Sequence, residues 1–400
     1  MKHSQTGAFL KNSGWVTLGQ LGTSLTAFLV ITVLANIVSK ETLGEYRYVL
    51  ALVTILGIST LPGLDTALVQ STAKGFSGQL QQLVAVKKKW GFLGLIFGLA
   101  IAIYFFFIGN ETRAITIVIV SLLVPLYGSY FVYFFYLQGK KNFFLSSVLQ
   151  LLSRVFFAVV VLGVAFVAPE PLYLILAFMV ATIFTQYLSY HYVKQKVQED
   201  NVDPQVISYG KHLTGLGALN ILVVNIDKIL VGGLLGVVPL AVYTVATLLP
   251  QESIRAGRII AQVTLPTFSS KDTPLEIWRL IPRLLILEVV LFFGWIVYAL
   301  AAPLFYSTLF PQYTEVVPYT IVAMLIVLTA PAYVLRSLFI AKKFTQGINV
   351  TLISVPVIKT LILLFGLVGW GLWGAIWALV VGGLVELLIH FYMYALFTRD

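Results

Sequence analysis

Apolar residues run along this chain in long unbroken stretches, not in the alternating pattern of half-buried strands. Asn12–Ser39, Trp90–Asn110, Ala114–Gly139, Val289–Thr314, Val316–Leu335 and Thr360–Val385 contain no acidic or basic residue. A helix of about 20 mainly apolar residues spans a bilayer, so several of these runs, once extended, hold more than one crossing. Dividing the chain at Gly, Pro and charge clusters predicts twelve membrane helices, at 13–38, 43–72, 84–108, 114–138, 143–167, 171–194, 211–235, 239–268, 275–302, 313–340, 345–368 and 370–397. Strands of a membrane barrel would alternate apolar and polar at period two, and this chain does not. The first span is too long for the core of a cleavable signal peptide, so it reads as a retained helix.

Composition supports the same class. Hydrophobic residues make up 59% of the 400 and charged residues only 10%, against about 25% charged in soluble domains. A water-soluble enzyme is excluded on that ground. There are no cysteines, which removes disulfide frameworks, thiolate metal sites and thiol nucleophiles.

The net charge of +10 follows the membrane topology. With the N-terminus in the cytoplasm, the twelve spans sort seventeen Lys and Arg to the inner side and two, Lys40 and Arg113, to the outer; seven fall within spans. This is the positive-inside pattern. It puts both termini in the cytoplasm and gives no reason to invoke nucleic acid. The polar stretch Gln195–Tyr209 divides six spans from six, so the halves have the same orientation. The expected plan is all-α: an N-terminal six-helix lobe over 1–196, a cytoplasmic linker over 197–210 and a C-terminal six-helix lobe over 211–400, around a central cavity. Two lobes related by an axis along the membrane normal suit alternating access. Gly63, Pro125, Gly232, Gly233, Pro250, Pro266, Pro331 and Pro356 lie inside spans, where Pro removes a helix hydrogen bond and kinks the axis.

Charges within the spans are the chemically informative residues, because each costs roughly 2.5–3.5 kcal/mol at mid-bilayer. The bases are Arg47, Arg154, Lys228, Arg255, Arg258, Arg336 and Lys359; the acids are Asp65, Asp227, Glu252, Glu288 and Glu386. Arg336 lies close enough to its span end to snorkel. Arg154 and Lys359 follow the paired lysines Lys140-Lys141 and Lys342-Lys343 on spans the repeat makes equivalent. They are expected to face the cavity from opposite lobes. Arg255 and Arg258 share a helix face with Glu252, which is placed to pair with Arg255. Asp227 and Lys228 are neighbours, and neighbouring helix positions diverge, so each is expected to need its own partner. The predicted cavity bases are therefore Arg154, Arg255, Arg258, Lys359, Arg47 and Lys228. Asp65, Asp227 and Glu252 are the predicted ion-coupling or charge-pairing acids. An excess of Arg and Lys suits an anionic cargo, and the guanidinium fork matches phosphate.

No nucleotide-binding G-x-x-x-x-G-K-[ST] and no H-E-x-x-H are present, and His3, His191, His212 and His390 have no metal spacing. No cofactor, metal or catalytic residue is expected. Aromatic side chains crowd residues 127–136 and recur as Trp370, Trp373 and Trp377. They read first as interfacial anchors or packing, and second as surfaces for sugars.

Asn225-Ile-Asp-Lys-Ile-Leu-Val-Gly-Gly-Leu-Leu-Gly236, followed by Leu240-Ala-Val-Tyr-Thr-Val-Ala246, resembles the start of the second half of polysaccharide biosynthesis membrane proteins. Leu34-Ala-Asn-Ile-Val-Ser-Lys-Glu-Thr-Leu-Gly-Glu-Tyr46, Gly63-Leu-Asp-Thr-Ala-Leu-Val69 and Leu309-Phe-Pro-Gln-Tyr313 resemble further motifs of that family. The chain is thus similar to O-antigen flippases of the multidrug/oligosaccharidyl-lipid/polysaccharide exporter superfamily. The resemblance implies a plasma- or inner-membrane carrier, not an enzyme. Its implied cargo is a polyprenyl-diphosphate-linked oligosaccharide moved to the outer leaflet for lipopolysaccharide or another surface polymer. Implied partners are that lipid-linked cargo, membrane lipid and other polysaccharide-assembly proteins. Pro311 departs from the family's Gly at that loop. Span 1 lacks the arginines of the related lipid II flippases, which argues against a peptidoglycan precursor as cargo. Two alternatives differ in chemistry. A cation-coupled drug exporter of the same superfamily wants acids rather than bases in the first lobe, and span 1 has none; a polysaccharide polymerase or ligase wants a sizeable outer loop, and none is present.

Overall fold

A computed structural model describes residues 2–197, 201–269, 277–341 and 344–397. Among the described residues there is no strand; the chain is an all-helical, multi-span membrane protein. Its helices are α1 (Lys2–Ile37), α2 (Lys40–Leu56), α3 (Gly63–Ala73), α4 (Leu80–Phe107), α5 (Glu111–Leu123), α6 (Val132–Gly139), α7 (Phe143–Val167), α8 (Pro171–Lys194), α9 (Val206–Leu234), α10 (Val237–Ser269), α11 (Ile277–Leu309), α12 (Val317–Met324), α13 (Pro331–Ala341) and α14 (Thr345–Phe397). Local chemistry sets several starts. The Ser39, Asn110 and Asn142 side chains accept hydrogen bonds from the amides of Thr42, Arg113 and Leu145, satisfying amides that a helix start leaves unpaired. Pro171 opens α8, where its missing N–H costs nothing.

Among the described residues, nine helices are long and apolar enough to cross a membrane, or ten when one bent pair is taken as a single span. The expected count of twelve is not reproduced as such, and the differences have physical causes. Span 43–72 is the bent pair: Lys40–Thr60 and Gly63–Ala73 meet at 50°. Leu61 there has a left-handed φ of 57°, and Pro62 follows it. Span 114–138 is broken into α5 and α6 by turns that begin at Val124, just before Pro125. Span 313–340 alternates 3-10 and α segments from Pro311 to Ala341, with α13 starting on Pro331.

Spans 345–368 and 370–397 form the 53-residue α14. A straight helix of that length would be about 80 Å long, far beyond the roughly 30 Å apolar core of a bilayer. It is not straight. Gly371 adopts φ 57° and ψ −132°, a conformation only glycine takes readily. A Cβ on Gly374 would run into the carbonyl of Gly366, so the backbone doubles back at this point. Lys359 and Glu386, 27 residues apart in sequence, form an ion pair. α14 is therefore two antiparallel arms.

The chain divides into two compact units, Met1–Asn225 and Ile226–Asp400. In the first, α1 packs on α7, α7 on α8, α4 on α5, α3 on α6 and α2 against α8. Leu64, Leu68, Leu83, Tyr133 and Tyr190 form a buried core, and Val206 at the start of α9 joins it. The described part of the expected linker is docked on this unit. The Ser77 and Gly78 amides both donate to the Asn201 carbonyl, at 3.1 and 3.0 Å. The Gly63 amide donates to Thr214 Oγ1 at 3.0 Å, and a Cβ on Gly63 would strike the α9 backbone. The first two-thirds of α9 thus belong to the first unit. In the second unit α10 packs on α12 and α13, and both of these pack on α14. The Trp295 indole donates to the Ile321 carbonyl at 2.9 Å, tying α11 to α12. Large apolar side chains such as Phe97, Val159, Leu300 and Val368 are exposed, as lipid-facing positions must be.

Candidate charged sites in the two units

In the first unit the acids within the membrane segments are held by bases from distant helices. Asp65 on α3 accepts from Lys87 Nζ on α4 at 2.5 Å. Lys87 is only 1% exposed. The sequence counted it with Lys88 and Lys89 as an inner-side base at the start of span 84–108; in the fold it lies a little further inside α4, which begins at Leu80. Glu45 on α2 takes both arms of the Arg113 guanidinium, at 2.8 and 2.6 Å. That guanidinium also lies over the rings of Tyr48 and Phe105, at 4.8 and 5.0 Å. Arg113, expected in an outer loop, is in the first turn of α5 and ties it to α2 and α4. The fork geometry and the cation–π contacts are both stronger out of water.

Arg154 on α7 differs from these. Ser147 and Val161 lie seven residues before and after it, and both are buried. Seven residues are nearly two turns, so all three share the face that α7 turns to the protein. Yet Arg154 itself is exposed. Among the described residues it has no hydrogen bond or ion pair. Its charge acts on the hydroxyls of Tyr46, Tyr127 and Tyr133. It thus lies on the stripe of α7 that carries the buried Ser147 and Val161, near enough to these three tyrosines for its charge to reach them. Arg47, on the neighbouring α2, is half-buried.

In the second unit two of the described pairs are local in sequence, and the third spans 27 residues. Lys228 Nζ donates to both carboxylate oxygens of Asp227, at 2.8 and 3.1 Å, and the Tyr243 hydroxyl donates to Asp227 at 3.1 Å. This corrects the expectation that Asp227 and Lys228 must find separate partners. The flexible lysine stem curls back, and the ammonium reaches the neighbouring carboxylate although the two Cβ atoms diverge. Glu252 and Arg255 pair at 2.5 Å, as their spacing predicts. The Arg255 side chain is 52% exposed. The side chain of Arg258 lies outside the described residues.

Lys359, expected as a cavity base, is paired with Glu386 across the α14 reversal. Arg336 on α13 acts on the same carboxylate. His390, one turn further along, is buried, with Nδ1 2.8 Å from the Glu386 carbonyl and its ring stacked on Phe339. Two bases, one acid and a histidine thus form one polar cluster within the second unit. Glu386, His390 and Lys87 were not among the predicted site residues. Lys87 had a legible signal: with Leu80, Leu83, Gly91, Gly94 and Gly98 it forms a helical stripe, and all six are buried.

Among the described residues no group of three or more His, Asp or Glu is placed to hold a metal ion. Most aromatic residues of 127–136 pack on one another: Phe131 stacks on Phe134 at 5.0 Å, and Tyr133 is fully buried.

Residues 9–271 match the family described as polysaccharide biosynthesis protein. No curated protein sequence matches. Among solved structures, the chain is similar to the lipid II flippase MurJ in an inward closed conformation, with TM-score 0.71 and 11% identity over 94% of this chain and 86% of that one. It is also similar to a MOP superfamily transporter from Pyrococcus furiosus, with TM-score 0.63 and 14% identity over 97% and 96% of the two chains. The Vibrio cholerae MATE transporter VcmN gives TM-score 0.59 and 13% identity, covering 98% of each chain. At these identities the likeness is one of fold.

Proposed function

The chain belongs to the polysaccharide biosynthesis protein family, and from that premise we propose that it is a transporter, not an enzyme. It carries a polyprenyl-diphosphate-linked oligosaccharide from the inner to the outer leaflet of the cell membrane by alternating access, with both termini in the cytoplasm. The lipid tail stays in the bilayer while the charged, hydrated head crosses through the protein. The surface polymer served is of the O-antigen or lipopolysaccharide kind, and other assembly proteins supply and consume the cargo.

The observation that carries this reading is Arg154. It is an exposed arginine on the stripe of a membrane helix that carries the buried Ser147 and Val161, and its charge reaches the hydroxyls of Tyr46, Tyr127 and Tyr133. A permanent, weakly hydrated cation at that depth replaces water around a diphosphate, and the hydroxyls supply further donors. Arg47, Arg255 and Arg258 are further contacts in this proposal. Lys228 and Lys359, each closed onto a carboxylate, serve as structural pairs that opening of the transporter can release. A cation-coupled drug exporter is less well supported, because Asp65 and Glu45 in the first unit are already neutralised.

Deletion of the gene in its native host tests the proposal. Lipid-linked oligosaccharide should accumulate facing the cytoplasm while surface polysaccharide falls, and a plasmid copy should reverse both. Unchanged surface polysaccharide in the deletion strain would overturn the assignment.

A further inference from the structure

Three chain reversals of the second unit meet in one cavity of about 550 Å³. Its walls come from Leu235 and Pro239 between α9 and α10, from Glu315 and Tyr319 at the start of α12, and from Trp373 just after the Gly371 reversal. The volume lies within the roughly 300–1,000 Å³ range of small-molecule sites. The three tryptophans of this region diverge here. Trp370 is 75% and Trp377 47% exposed, as interfacial anchors are. Trp373 instead contacts the Tyr319 ring, with centroids 4.4 Å apart and planes at 42°. Among the described residues lining the cavity, Glu315 is the single charged group.

We infer that this cavity is a carbohydrate subsite, built on Trp373 and Tyr319 with Glu315 as hydroxyl acceptor. The inference rests on the proposed function and names which part of the cargo is held there. A pyranose ring has apolar C–H faces whose hydrogens are slightly positive, and these stack on the negative face of an indole. A carboxylate accepts two neighbouring hydroxyls in charge-assisted bonds. An organic cation also favours aromatic rings and carboxylates. The 39% exposed Trp373 keeps surface for a flat sugar ring, and competition with an organic cation separates the two ligand classes. The site lies at the end of the second unit that bears the reversals before α10, before α12 and within α14. By the basic-residue pattern this is the outer end, where a flipped head group would arrive.

The test uses the full-length protein in its native host, with the chromosomal copy deleted, and surface polysaccharide measured at matched protein level. Trp373→Ala should lower export about tenfold. Trp373→Phe, which keeps a ring against Tyr319, should retain most of it. Glu315→Gln should lower export several-fold, and Trp370→Ala should leave it unchanged. The second readout is saturation-transfer NMR on purified protein in lipid nanodiscs. Its probe is the glycan released from the host's own lipid-linked precursor by mild acid. Wild type should transfer magnetisation to the sugar protons, and Trp373→Ala should not. Wild-type export and transfer in both Trp373→Ala and Glu315→Gln would overturn the subsite and leave the transport reading standing. Displacement of the glycan signal by tetraethylammonium would reassign the cavity to organic cations. Failure of the wild-type gene to restore export would overturn both readings.

Discussion

The two units neutralise their buried charges in different ways. In the first, Lys87 reaches Asp65 from 22 residues away and Arg113 reaches Glu45 from 68 residues away. Each pair joins separate helices and is mostly buried, with side chains 2% to 15% exposed. In the second, Asp227 and Lys228 are adjacent, Glu252 and Arg255 are one turn apart, and Lys359 meets Glu386 across a single hairpin. Long-range pairs fix helix positions; local pairs travel with their own helix. The first unit therefore presents Arg154 from a pinned frame. The second holds two local pairs, Asp227–Lys228 and Glu252–Arg255, and one, Lys359–Glu386, that joins the two arms of α14.

The largest effect should come from Lys87→Ala. It strands Asp65 without a partner and should destabilise the first unit by about 3–5 kcal/mol. Protein level and thermal unfolding in detergent measure this. Replacing both residues by Leu should recover most of the loss, since an apolar pair of similar size often matches a buried ion pair. Failure of the double variant to recover would mean that the pair does more than join α3 to α4.

Arg113→Ala should cost about 2–3 kcal/mol, because it removes a two-armed hydrogen bond to a charged group together with two ring contacts. Arg113→Lys should recover only part, since an ammonium cannot serve both carboxylate oxygens in that geometry. Equal unfolding temperatures for Arg113→Lys and wild type would reduce this site to simple charge pairing.

Arg154→Ala should leave unfolding within about 0.5 kcal/mol of wild type, because the residue is exposed and holds no described partner. Its expected effect is on transport, about tenfold, the loss of one contact worth about 1.4 kcal/mol. The smallest effect belongs to Arg255→Ala. A half-exposed pair one turn apart should be worth at most about 1 kcal/mol. A loss of protein comparable to that of Lys87→Ala would erase the contrast between the units.

Much of the architecture was legible as a sequence. Uninterrupted apolar runs predicted an all-helical membrane protein, and Pro62, Pro125, Pro331 and Gly371 mark where its spans bend or reverse. The Glu252–Arg255 pair followed from helical spacing alone. What the sequence hid were relations across space. Lys87 stands in a run of three lysines, which reads as a solvated loop until its face is matched to the buried Gly91 and Gly94. Glu386 became Lys359's partner only once α14 folded back on itself. The Asp227–Lys228 contact depends on a side-chain bend that Cβ directions do not foretell. Arg154, by contrast, was singled out from repeat position and depth. It lies on the stripe of α7 that also carries the buried Ser147 and Val161.

The central claim is that Arg154 meets the diphosphate of a lipid-linked cargo. Purified protein in liposomes containing lipid-linked oligosaccharide from the native host, with leaflet exposure read by a membrane-impermeant glycan-modifying enzyme, tests it most directly. Wild type should bring the inner-leaflet fraction within reach of the enzyme. Arg154→Ala should do so about tenfold more slowly, and Arg154→Lys at an intermediate rate. Equal rates for wild type and Arg154→Ala, at equal protein content, would contradict the account.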